Sequence, residues 1–76
     1  MRSNQLRLLR LSAHLSQREL AKLIGVSGPA ISQAERGITE LTDEHARKVC
    51  EVVARRKRLI SRVLENLESL NVLQGS

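Results

Sequence analysis

The sequence predicts a compact all-α domain of four or five helices, and three observations predict it. Apolar residues recur at helical spacing in every segment between breakers. No stretch alternates as a strand would, and the β-branched residues are scattered rather than grouped. The chain divides at Gly25, Gly28-Pro29, Gly37 and the Gly75-Ser76 tail, the glycine and proline positions that punctuate helices.

The first helix is expected from about Asn4 to His14. Leu6, Leu9 and Ala13 form its stripe, with Arg7, Arg10 and His14 between them. Leu8 and Leu11 lie off that stripe and call for a second contact, either another helix or a partner. The second helix opens with a capping box, Ser16-Gln17-Arg18-Glu19, in which the Ser16 hydroxyl accepts from the Glu19 amide while the carboxylate reaches back. Leu20, Ala21 and Ile24 supply its inward face, and Gly25 its left-handed stop, which sets the helix at Gln17 to Ile24. After Gly25-Val26, Ser27 is an N-cap and Pro29 falls in the first turn, where its missing N–H does no harm. Ile31 and Ala34 face inward and Gly37 ends this third helix. Two short helices joined by a tight turn with glycine at the bend make a helix-turn-helix.

From Thr42 to Gln74 there is neither glycine nor proline. Thr42 caps a helix whose first turn carries Asp43 and Glu44, the end that the macrodipole favours for acids. Val49, Val53, Ile60, Val63, Leu67 and Leu70 continue the apolar spacing, but Arg55-Arg56-Lys57-Arg58 interrupts it. Two helices meeting near that basic cluster are favoured here over one of thirty residues. The expected organisation is a helix-turn-helix domain over residues 1–54, a C-terminal helix over 55–73 and a tail over 74–76.

Composition narrows the function. The chain has 76 residues, enough for one domain with a marginal core, so helix packing, oligomerisation or both must stabilise it. One cysteine, Cys50, excludes an internal disulfide, and no Cys/His spacing suits a metal. Cys50 is expected to pack as a small hydrophobe near Val49 and Val53. No apolar run approaches a membrane span, and Met1–Gln5 leads into no signal-peptide core, so a cytoplasmic protein is expected. His14 and His45 read as solvated surface imidazoles, and no nucleophile sits beside a base, so neither enzyme activity nor a cofactor is expected. Thirteen Lys and Arg against eight Asp and Glu give a net charge of +5, which points to a polyanionic partner. The chain has no Phe, Tyr or Trp, so stacking of single-stranded bases is excluded and duplex DNA is the better partner.

The stretch from Leu6 to Val53 resembles the DNA-binding domain of lambda-repressor-like regulators, the Cro/C1 or XRE type. The matching residues are Leu15-Ser16-Gln17-Arg18-Glu19-Leu20-Ala21, Gly25-Val26-Ser27, Ile31-Ser32 and Glu35-Arg36-Gly37. The resemblance implies that the helix from about Gly28 to Arg36 enters the major groove while the Gln17 end of the preceding helix touches the backbone. It assigns DNA contact to Gln17, Arg18, Ser27, Gly28, Pro29, Ser32, Gln33, Arg36 and Thr39. Gln33 is the best base reader, because its amide matches adenine N6 and N7. It also makes Arg10 and Glu35 a structural ion pair between the first and third helices. The family commonly carries a polar side chain where this chain has Gly28, so readout by one subunit is modest. Phosphate contacts, DNA shape or a second subunit must supplement it.

The C-terminal stripe has two readings. It packs back on Leu8 and Leu11 as a fifth helix, or it pairs with its twin across a two-fold axis through Leu59, Ile60, Val63, Leu67 and Leu70. The second reading gives a homodimer on a palindromic operator. The expected function is therefore a sequence-specific double-stranded DNA-binding transcriptional regulator, a repressor in the simplest case, with a regulatory protein partner as a further expectation. Two classes compete: a protein-interaction module, an antitoxin-like helix-turn-helix whose Gly28-Pro29 face no longer selects DNA, and a non-specific DNA coat that uses the +5 charge alone.

Overall fold

Three hydroxyl residues fix where the last three helices begin. Ser16 Oγ accepts from the Glu19 N–H at 3.0 Å, Ser27 Oγ from the Ala30 N–H at 3.3 Å, and Thr42 Oγ1 from the His45 N–H at 3.1 Å. The computed structural model describes the backbone of residues 1–75 and the side chains of residues 1–68. Among the described residues there are four helices and no strand: α1 (Ser3–Ser12), α2 (Gln17–Ile24), α3 (Gly28–Glu35) and α4 (Asp43–Gly75).

The helix ends follow the same local chemistry. Gly25 has φ 81°, and the Ala21 carbonyl accepts from the N–H groups of both Gly25 and Val26. Gly37 has φ 76°, with its N–H on the Ala34 carbonyl and that of Ile38 on Gln33. Both are left-handed terminations that glycine adopts without a Cβ penalty. α1 ends in the same way two residues before α2 begins its cap, but on His14, at φ 55°. The His14 N–H donates to the Leu11 carbonyl and the Leu15 N–H to that of Arg10.

The core is built from Leu6, Ala13, Leu15, Leu20, Ala21, Ile24, Ile31, Ala34, Val49 and Val53, with no buried polar side chain among them. α2 packs on α3, α1 packs on both α3 and α4, and α4 also supports α2. Ala21 is buried where a larger side chain would push α2 and α3 apart.

Three expectations are corrected here. The C-terminal segment is one continuous helix, not two meeting at Arg55–Arg58. Arginine and lysine are good helix formers, so the basic cluster marks where the helix leaves the body rather than where it breaks. The C-terminal part does not fold back as a fifth helix: Leu8 and Leu11 are exposed, as are Leu59, Val63, Leu64 and Leu67. The molecule measures 54 × 19 × 18 Å with a radius of gyration of 15.5 Å, against about 11 Å for a compact chain of this length. Cys50, expected beside Val49 and Val53, is exposed instead. It lies on the side of α4 that faces α1, in a groove with Leu8, Leu9 and Lys57.

Candidate nucleic-acid interface

The outer face of the helix-turn-helix is set by what its inner face buries. With Ile31 and Ala34 turned into the core, Pro29 and Gln33 share an exposed line one turn apart on α3, and Arg36 follows in the open. Gly28 and Ser32, also one turn apart, are half-buried on the side toward α2. There they line one shallow cleft with Pro29, Gln17 and Arg18. Five of the nine expected contact residues are thus gathered in a single depression, although the sequence separates them by up to fifteen positions. Ser27 is exposed at the lip of α3, with its hydroxyl engaged in capping. Thr39 does not join the cleft. It lines a separate crevice beside the start of α1, with Arg2, Ser3, Asn4 and Glu40. Arg2 and Asn4 were not singled out by the sequence, and no local pattern announces that the chain's start returns to the end of α3.

The start of α2 is fixed by its cap. Its capping box is complete: the Ser16 N–H donates to Glu19 Oε1 at 3.2 Å while Ser16 Oγ takes the Glu19 N–H. The Ser16 backbone and hydroxyl hold the Glu19 carboxyl below its ordinary value, with a smaller contribution from the charge of Arg56. The Leu20 N–H is taken by the Ser16 carbonyl. The backbone N–H groups of Gln17 and Arg18 are the two first-turn donors that the box leaves over, and they lie at the positive end of the helix.

α3 is held in place by one charged cluster. Arg10 Nε donates to Glu35 Oε2 at 2.6 Å and Nη2 to Oε1 at 3.0 Å, a bidentate pair, while Nη1 donates to the Leu15 carbonyl at 2.9 Å. The two side chains are only 12% and 5% exposed. Gln17 Nε2 adds a third bond to Glu35 Oε1 at 3.3 Å, so Glu35 ties α3 to both α1 and α2. Burial pushes the Glu35 carboxyl upward. The bonds from Arg10 and Gln17, with the charges of Arg10 and Arg7, outweigh burial and hold it below its ordinary value. The hydrogen bond to Glu35 raises Arg10 in turn, against the opposing effect of burial. The Gln17 amide is therefore partly committed to the interior. Its backbone N–H and its second amide proton remain for an outside partner.

Gly28 has no structural reason to be glycine. A Cβ built there meets nothing within 4 Å, and its φ is not in the left-handed region. The missing side chain leaves open space in the cleft between α2 and α3, whereas Gly25 and Gly37 are required by their backbones.

Residues 6–56 match the family model described as Helix-turn-helix, which is two thirds of the chain. No curated protein and no solved structure matches it with significance. The matched span runs from Leu6 in α1, through the cleft and the ion pair, to the point where α4 leaves the body. The charged tie that positions α3, the capped start of α2 and the small and polar residues on the outer side of α3 all fall within the matched span. The chain belongs to the Cro/C1-type (XRE) helix-turn-helix family of DNA-binding regulators.

Proposed function

We propose that this protein is a sequence-specific regulator that binds double-stranded operator DNA as a homodimer and represses transcription by occupying the site. The observation that carries this reading is the convergence of Gln17, Arg18, Gly28, Pro29 and Ser32 on one cleft, with Gln33 and Arg36 exposed beside it. In this reading α3 lies in the major groove, with Gln33 pairing to an adenine edge and Pro29 against a thymine methyl. The N–H groups of Gln17 and Arg18 receive a phosphate oxygen. The Arg18 and Arg36 side chains neutralise neighbouring phosphates, and Thr39 lies near the next backbone segment. These contacts fix register, and the groove face supplies sequence preference.

One subunit reads little, because Gly28 and Ala30 offer no polar atom beyond the backbone. Two subunits double the readout and impose two-fold symmetry on the site, with half-sites one helical turn or a multiple apart. Selection from randomised duplexes at near-physiological salt tests the proposal. An enriched inverted repeat is the expected result. Tight binding that vanishes with added salt and enriches nothing would instead indicate a non-specific coat. Failure to bind any duplex at low salt would indicate a protein-interaction module.

A further inference from the structure

The half of α4 that projects from the body carries its apolar residues on a particular side. Val49 and Val53 seat α4 on the other helices and are buried. Ile60 and Leu67 follow Val53 at seven-residue intervals, over which a straight helix drifts only about 20°. The projecting stripe therefore continues the face that meets the body. Ile60 is half-buried, while Val63, Leu64 and Leu67 are exposed. At the foot of the projection, exposed Leu8 of α1 stands near Lys57, and exposed Leu23 of α2 stands near Leu59. Body and helix together form an apolar step.

Resting on the homodimer reading above, we propose that the step is filled by α4 of a second copy lying antiparallel. Two observations select this direction. First, the body sits on the same side of α4 as the stripe. A parallel pairing of the two stripes would bring both bodies to one level between the helices, into space each already occupies. Antiparallel pairing sends the bodies to opposite ends. Second, the charge is divided along the helix. Arg55, Arg56, Lys57, Arg58 and Arg62 crowd the near half, and Glu65 and Glu68 lie in the far half. Arg56 stands seven residues before Val63, in line with the stripe. A parallel partner opposes Arg56 with a second Arg56, whereas an antiparallel one brings the acidic far half alongside the basic near half, with Glu68 level with Arg62.

The three- and four-residue spacing also sets the register. Val63 lies opposite Leu67 of the second copy, Leu67 opposite Val63, and Leu64 beside its own counterpart at the two-fold axis. The interface is isologous and closes at two subunits. The apolar foot that α4 leaves uncovered on its own body is covered by the partner's helix instead.

Cysteine pairing in the full chain, with exposed Cys50 replaced by serine, reads the direction. Val63→Cys and Leu67→Cys, mixed and oxidised, are expected to give the mixed disulfide as the main product, and neither variant alone is expected to give a covalent dimer in yield. In the antiparallel register two Val63 positions are offset by about 6 Å along the axis in addition to the lateral separation, which exceeds disulfide reach. Efficient self-linking of each variant alone would overturn the proposal in favour of parallel helices. Sedimentation of the Cys50→Ser chain separates the two levels of failure. A dimer without any cross-link places the interface on another face and overturns this proposal alone. A monomer at tens of micromolar overturns the homodimer reading with it.

Discussion

Glu35 takes two bonds from Arg10 and one from Gln17 while only 5% exposed, so removing its charge leaves Arg10 unpaired in a nearly closed site. Glu35→Gln is expected to cost about 3 kcal/mol of unfolding free energy in a urea titration, the range for breaking a buried pair from one side. The same pair sets a pH dependence. Because the folded Glu35 carboxyl lies below its ordinary value of 4.5, its stabilising contribution is fully present above that value and is lost as pH falls through the folded one. Wild-type thermal stability should therefore decline below about pH 4.5 more steeply than that of Glu35→Gln, and parallel declines would contradict this assignment. Gln33 differs in kind: its side chain is exposed, so Gln33→Ala should leave the melting temperature unchanged. It should relax preference at one base position by about 1–3 kcal/mol in competition binding. His14 stands in the left-handed region where glycine is unstrained, so His14→Gly should raise stability by about 1 kcal/mol.

Helices were legible wherever a short-range chemical signal marks both ends. α2 is set by Ser16, Glu19 and Gly25, and the structure starts and ends it at the residues the sequence gives, Gln17 and Ile24. Ser16→Ala should accordingly cost about 1 kcal/mol by chemical denaturation, chiefly by uncapping α2. α1 was placed one or two residues late because its end rests on His14, a residue with no glycine-like signature. α4 was misread for a different reason. A break in the apolar pattern looks the same whether the helix ends or merely leaves its neighbours, and only the three-dimensional body distinguishes the two. The exposure of Cys50 was hidden likewise. Val49 and Cys50 are adjacent in sequence but point in different directions around α4, and the packing partner was α1, forty residues away.

At the scale of the molecule, the cleft proposed to meet DNA draws on residues that become neighbours once Ala21 lets α2 and α3 cross closely. The resemblance indicated those residues one by one, but not that Gln17 also serves the Arg10–Glu35 tie, nor that Thr39 stands apart from the cleft near Arg2. Those relations depend on how α1 packs on α3, which no spacing within one helix encodes. No helix among the described residues is long and apolar enough to cross a membrane. Leu67→Glu should shift sedimentation toward monomer and, by separating the two readers, weaken binding to a palindromic duplex far more than to a single half-site. Leu70, expected in the same stripe, lies outside the described side chains.

The most direct test of the central claim, that α3 and the start of α2 read duplex sequence, is selection from a randomised duplex pool by the intact protein and by Gln33→Ala. An inverted repeat enriched by the wild type is expected, with one position per half-site losing its preference in the variant. Identical enriched sites for the two proteins, or no enrichment by either, would contradict it.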